Sequence, residues 1–243
     1  MLQACLNGGR VRTAAARVPL TPSELAADAM ACRDAGAETL HVHPRNAMGA
    51  ESLAPGDVAA ALVAIRAAVP HMPVGISTGT WIAPGGRARH EDMAGWTALP
   101  DYVSINLNED DAPEIMEMMA GRGIGIEAGI WSVADAERFT ALPDPPPPLR
   151  ILIEMQDVEP QAALDEADRV LRILADRAIA APILLHGSGR SAWPCVGEAA
   201  RRGCDTRIGF EDVLVLPDGS PARDNAALVS AAHAIMIRAA PPR

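Results

Sequence analysis

Eight short apolar runs, each followed by a helix-compatible segment, constrain this chain more than any other feature. The runs are LQACL (2–6), TLHVH (39–43), VGIS (74–77), YVSIN (102–106), IGIEA (124–128), ILIEM (151–155), PILLH (182–186) and TRIGF (206–210). Helical segments are expected near 21–35, 56–67, 111–121, 132–140, 161–178, 191–202 and 223–238, with a poorly patterned stretch near 89–98. TPSE at 21–24 reads as a capping box, with Thr21 as N-cap, Pro22 in the first turn and Glu24 closing it, and Gly36 suits the C-terminal stop. Strict βα alternation implies a parallel sheet. Eight units in 243 residues predict an α/β fold, a (β/α)8 TIM barrel, with residues 1–243 as a single barrel domain. A doubly wound open sheet is the competing arrangement, but no GxGxxG follows the first run, and NGGR (7–10) is too short for a dinucleotide fingerprint.

Composition narrows the chemistry. Aromatics are 3% of the chain and the net charge is −10 without a basic run, which disfavours nucleic acid and anionic membranes as partners. No uninterrupted apolar stretch reaches membrane-spanning length, and MLQACLNGGR lacks a signal peptide's apolar region. All 21 basic residues are arginine, so lysine-imine chemistry is excluded. Four cysteines without a CxxC read as free thiols in a reducing cytoplasm, not as a disulfide framework or zinc ribbon.

Catalytic groups of such barrels sit at the C-terminal ends of the strands. There this chain places Asn7 and Arg10; His41, His43 and Arg45; Ser77 and Thr78; Ser104, Asn106 and Asn108; Glu127; Glu154; His186; and Arg207, Glu211 and Asp212. A strand repeats every two residues, so His41 and His43 face one side and make half of a divalent-metal site. Glu211 is the best placed third ligand, and strand eight is expected across the mouth from strand two. His₂Glu with an open position is a catalytic zinc pattern that also accepts other divalent ions. HxH alone suits equally a packed histidine beside a loop-bonded one; strand-end placement and the distant Glu–Asp pair favour the metal. His71 and His90 are expected to be solvated, His233 packed or on the surface, and His186 a site donor or a satisfied turn residue. HGSGRSAWP (186–194) is a tight turn with Ser191 as N-cap, or an anion cradle. APGGRAR (83–89) is expected to be a flexible basic loop.

Together, HVHPR (41–45), ISTG (76–79), SIN (104–106) and RIGFED (207–212), with LNGGR (6–10) and PLTPSELA (19–26), resemble the β-keto acid cleavage enzymes, typified by 3-keto-5-aminohexanoate cleavage enzyme. The match runs in order along nearly the whole chain and is weakest near 140–180. The resemblance implies a zinc-dependent (β/α)8 barrel, commonly a homotetramer, that converts a β-keto acid and acetyl-CoA into acetoacetate and a new acyl-CoA. By position, His41, His43 and Glu211 match the metal ligands, and Arg207 and Asp212 match an arginine–aspartate pair tied to proton transfer. Ser77 and Ser104 fall where substrate-carboxylate contacts lie, Asn106 closes the SIN motif beside them, and Glu127 matches a glutamate near the substrate. Two positions depart from the typifying enzyme: Ser104 replaces a threonine, and Arg10 replaces a glutamate that suits a substrate amine. Arg10 therefore predicts a substrate whose far end is neutral, polar or acidic. The competing readings are another divalent-metal barrel enzyme, a hydrolase or class II aldolase that does not use CoA, and an idle barrel that binds a small anion.

Overall fold

The (β/α)8 barrel is the architecture that forms. The structure is a computed structural model and describes residues 1–12 and 17–239. Eight parallel strands, β1 (Leu2–Cys5), β2 (Thr39–Val42), β3 (Val74–Ser77), β4 (Tyr102–Asn106), β5 (Gly125–Ile130), β6 (Arg150–Met155), β7 (Ile183–Gly187) and β8 (Thr206–Ile208), pair in the order β7-β6-β5-β4-β3-β2-β1-β8. The seam from β7 to β8 is thin. It holds one bridge, Leu184 to Asp205, two flanking backbone bonds, and a 2.7 Å bond from the Thr206 hydroxyl to the Leu185 carbonyl. Outside lie α1 (Pro22–Asp34), α2 (Pro55–Ala68), α3 (Arg89–Ala94), α4 (Ala112–Gly121), α5 (Val133–Ala141), α6 (Pro160–Asp176), α7 (Ala192–Arg202) and α8 (Asn225–Ala239). None is long and apolar enough to cross a membrane.

Strand alternation divides the side chains sharply. Leu40, Val42, Val74, Ile76, Val103, Ile105, Ile151, Ile153, Leu185 and Ile208 join the apolar core shared with the helices. Residues in register on the other face are mostly polar: Gln3 is paired with Thr39 and Arg207, His41 with Cys5 and Gly75, Ser104 with Ser77 and Glu127, and Glu154 with His186. The barrel lumen is thus lined with hydrogen-bonding groups where aliphatic layers are usual. Low in the lumen, Gln3 Nε2 donates to Glu127 Oε1 at 2.8 Å and to the Tyr102 hydroxyl at 3.0 Å. Arg150 lies over the Tyr102 ring and 3.4 Å from Glu127. The Tyr102 ring fills the space that a side chain at Gly75 would need.

The ends of α1 are as expected. Thr21 and Glu24 form both bonds of the capping box, and Gly36 takes the positive φ of +108° after the helix. Several strand ends differ from the expected runs by one residue, and two differ by two. β5 continues to Ile130, because the glycine that breaks the apolar run, Gly129, still pairs with both neighbouring strands. β8 stops at Ile208, so Glu211 lies on the turn after the strand.

The expectation of a flexible basic loop at 83–89 is corrected. Arg89 is fully buried, with Nη2 2.8 Å from Glu109 and Nη1 2.7 Å from Asp111. Its Nε donates to the Thr78 carbonyl, which straps the β3–α3 loop to the barrel. His90 is likewise not simply solvated: its Nε2 is 2.8 Å from the same Asp111. His71 and His233 are exposed.

Arg89→Met leaves two carboxylates without their buried cation, so a loss of roughly 3–5 kcal/mol is expected in denaturant unfolding. A second test concerns Asp28. Its carboxyl is pushed up to about 6 by burial, with Asp224 adding to the rise against a bond from Asn225. The protonated form therefore favours the fold. That contribution is full below the unfolded value near 4 and is lost as pH rises through about 6. Asp28→Asn is expected to gain about 1–3 kcal/mol over the parent at pH 7–8, a gap that closes below pH ~4 in pH-resolved unfolding curves.

Candidate active site

The site is assembled at β1, which lies between β2 and β8 and brings their C-terminal ends together. Glu211 thus comes from two strands away, not from across the mouth. Asn7, just past β1, holds His43 from both sides: its Oδ1 accepts the His43 N–H at 2.9 Å and its Nδ2 donates to the His43 carbonyl at 2.8 Å. Gly8 has φ +51°, and a Cβ there would lie 2.4 Å from Glu211 Cγ, so only glycine leaves the carboxylate its place.

His41 Nε2 and His43 Nε2 are 3.2 Å apart. Glu211 Oε2 is 3.7 Å from the first and Oε1 3.5 Å from the second. Donors held about 2.0–2.2 Å from one tetrahedral cation stand about 3.3–3.5 Å from each other, so the three groups fit a divalent ion with a position left open. Glu211 Oε2 is buried without a hydrogen-bond partner, as expected of an oxygen reserved for a cation.

Electrostatics point the same way. Burial drives His41 down to about 3, against the pull of Glu211. Burial also opposes charge on His43, but the Glu211 and Glu51 carboxylates hold it at about 9. Arg207, then both histidines, keep Glu211 well below the carboxylate range despite its burial. The carboxylates around the cluster thus favour positive charge between them.

The cavity around these groups measures about 250 Å³ and is walled by Ser77, Ser104, Asn106, Trp81, Trp131, Gly9, Glu154 and Arg207 together with the three ligating side chains. Arg207 Nη2 is 2.9 Å from Glu211 Oε1, 3.4 Å from Glu154 and 3.7 Å from Asp212. His186 is fully buried between Glu154 and Asp212, at 3.4 Å from each. Burial opposes charge on Glu154, but the neighbouring His186 and the charge of Arg207 hold it at about 2. Asp212 is buried beside His186 and Arg207, off the cavity wall, and its Oδ2 lacks a partner.

Besides Asp212, two expected site residues stand off the cavity wall. Arg10 directs its guanidinium to the Glu211 and Asp212 carbonyls, at 3.3 and 3.4 Å. Glu127 lies in the polar layer beneath, fully buried, and burial raises its pKa. Asn106 is on the wall, but its Nδ2 is engaged by Glu109 at 3.1 Å. The 186–191 loop forms the tight turn, since the amides of Ser188, Gly189, Arg190 and Ser191 all bond within the protein. Ser191 does not cap α7 with its side chain; its hydroxyl bonds the Gln156 and Ser188 carbonyls at 2.8 Å.

Glu51 and the two tryptophans were not among the sequence candidates. Glu51 Oε1 is 2.5 Å from His43 Nδ1. A tight return at 46–50 brings it there, with the Asn46 side chain accepting the Met48 and Ala50 amides and Gly49 at φ +79°. Asn46 and Gly49 were the available turn signal.

Fold and side-chain cluster together define a (β/α)8 barrel with three groups at its C-terminal mouth that could hold a divalent cation. The chain belongs to the beta-keto acid cleavage enzyme family, whose model matches residues 1–240. Among solved structures it is similar to ObcA: the apo form at 16% identity and TM-score 0.67, covering 91% of this chain and 62% of that one, and a ternary complex with C4-CoA adduct and oxalate at 15% and 0.70, covering 91% and 64%. The chain therefore spans less than two thirds of the ObcA chains it matches. The 3-hexulose-6-phosphate synthase from Salmonella typhimurium shares the barrel at 14% identity and TM-score 0.58, covering 98% of this chain and 99% of that one.

Gly8→Ala is expected to lower metal affinity, read by chelator competition, and to cost at least about 1 kcal/mol of stability, because a Cβ at positive φ must displace Glu211.

Proposed function

We propose that this protein is a metal-dependent β-keto acid cleavage enzyme that transfers an acyl group from a β-keto acid to CoA, using acetyl-CoA and releasing acetoacetate. The observation that carries the reading is the convergence of His41, His43 and Glu211 inside a cavity whose other walls are hydroxyl, amide and indole groups with the Glu154 carboxylate and the Arg207 guanidinium. Family membership gives the reaction class. ObcA has been captured with oxaloacetate, itself a β-keto acid, and with a C4-CoA adduct, which accords with the same pair of ligand classes.

His41, His43 and Glu211 would hold Zn²⁺ or another divalent ion, which supplies Lewis acidity toward a carbonyl. Ser77 and Ser104 offer hydroxyls to the substrate carboxylate from one layer of the wall, where their strands pair. Asn106, fixed by Glu109, sets the edge of that surface. Asp212, off the cavity wall beside Arg207, is the base for the carbon between ketone and carboxylate and would reach it past Arg207; its unpartnered Oδ2 leaves a lone pair for the proton. Arg207 beside it offsets the negative charge gathered by Glu154, Glu211 and Asp212. The resulting carbanion attacks the acetyl thioester and expels CoA thiolate. The thiolate adds to the original ketone, the adjacent C–C bond breaks, and the acetoacetate carbanion recovers the proton. Trp81 and Trp131 close the cavity and limit water, which protects the thioester.

Arg10 and Glu127 support the site without lining it. Arg10 braces the turn that carries Glu211 and Asp212, and Glu127 anchors the polar layer on which the cavity rests. The far end of the substrate then meets indole and hydroxyl groups, which suits a short neutral or polar acid. A homo-oligomer in the cytoplasm, a tetramer by resemblance, completes the proposal.

Purified protein incubated with a panel of β-keto acids and acetyl-CoA is expected to form acetoacetate and new acyl-CoA, to lose that activity to a chelator and to regain it with Zn²⁺. Asp212→Asn is expected to lower kcat by about 10²–10⁴-fold with metal content unchanged. Cleavage of β-keto acids without any need for CoA would favour the hydrolase or aldolase reading.

A further inference from the structure

The two imidazoles of the cluster are not held alike. His41 lies within β2 and is packed from every side, and its Nδ1 has no partner. His43 stands one residue beyond the strand, where the sheet no longer fixes its direction. Its backbone is clamped by Asn7, but that clamp leaves the ring free to turn about its side-chain torsions. What holds the ring is Glu51, whose Oε1 lies 2.5 Å from Nδ1. The same oxygen accepts the Trp81 indole N–H at 3.3 Å. Trp81 is half exposed at the cavity mouth and lies across Gly79, where a Cβ would fall 2.4 Å from its ring.

We propose that Glu51 is the positioning residue of the metal site: it fixes His43 as the tautomer that carries its proton on Nδ1 and turns the Nε2 lone pair to the cation, while Trp81 braces Glu51 from the mouth. An imidazole has two nitrogens, and whichever one donates to an outer acceptor leaves the other free to ligate. Of the two imidazoles in the cluster only His43 has such an acceptor on its far nitrogen, so its orientation depends on one carboxylate oxygen. The arrangement also joins the wall of the cavity to the cation: a Trp81 displaced at the mouth loosens Glu51, and through it His43.

This inference rests on the metal reading above, and the test separates the two. Zn²⁺ affinity is measured by chelator competition on the wild type, Glu51→Ala, Glu51→Gln and Trp81→Phe, with circular dichroism and thermal unfolding as controls for folding. The zinc-loaded proteins, labelled at histidine nitrogen, are compared for the downfield His43 Nδ1 proton by NMR. Expected are a roughly 10–100-fold loss of affinity in Glu51→Ala, a smaller loss in Glu51→Gln, whose amide oxygen still accepts, and disappearance of the Nδ1 proton signal in Glu51→Ala. Trp81→Phe, which keeps the aromatic wall and removes only the N–H, is expected to lose affinity less than Glu51→Ala and to add nothing when combined with it. Folded Glu51→Ala that binds Zn²⁺ within twofold of the wild type overturns the inference and leaves the metal site standing. Should Glu51→Ala not fold, wild-type affinity in Glu51→Gln together with additive losses in the Glu51→Gln/Trp81→Phe double variant overturns it. A wild type that binds no Zn²⁺, Co²⁺ or Mn²⁺ sinks the metal reading and this inference with it.

Discussion

The site depends on β1 serving as the common partner of β2 and β8. Parallel pairing on both edges of one four-residue strand sets the heights of its neighbours, with Cys5 opposite His41 and Ala4 opposite Ile208. Once those registers form, His41 and the turn carrying Glu211 end at the same level of the barrel. A slip of one residue in either pair would turn its side chains to the other face. The residues just past β1 complete the fit: Asn7 ties down His43, Gly8 gives room to Glu211, and the carbonyls of Gly8 and Arg10 accept from Arg45.

A second constraint is the polarity of the lumen. The lumen carries Gln3, Tyr102, Glu127 and Arg150 at its base and His41, Glu154, His186 and Arg207 above them. Buried charges cost free energy unless they are paired. Pairing is incomplete at both levels: Glu211 Oε2, Asp212 Oδ2 and His186 Nε2 lack partners near the mouth, and Glu127 Oε2 lacks one near the base. Stable sequences leave polar groups unsatisfied mainly where function uses them. The aliphatic shell outside the strands supplies the apolar burial that the lumen does not.

Much of this was legible in the sequence because it rests on periodicity. Eight apolar runs read as strands, and the period of two placed His41 and His43 on one face. Glu211 was legible as a strand-end partner for the histidines, but strand eight was expected across the mouth, whereas β1 alone separates it from β2. Chemistry that depends on how loops fold back was not legible. Glu51 follows His43 by eight residues, and only the return at 46–50 brings the two within bonding distance. Arg89 read as loop charge because its partners, Glu109 and Asp111, lie beyond the next strand. Arg10 read as a specificity residue because it stands where the typifying family member has a glutamate; position does not fix side-chain direction, and the carbonyls of Glu211 and Asp212 take its guanidinium. Trp81 and Trp131 gave no pattern at all, each being a single indole in a loop.

Three side chains, two from β2 and its end and one from the β8 turn, are held here to share one cation. Anomalous diffraction recorded on both sides of the zinc absorption edge, from crystals grown with Zn²⁺, tests that claim most directly. One strong peak is expected about 2.0–2.2 Å from His41 Nε2, His43 Nε2 and a Glu211 carboxylate oxygen, with the side facing Ser77 and Ser104 open. No peak at the barrel mouth, or a peak that omits Glu211, would contradict it.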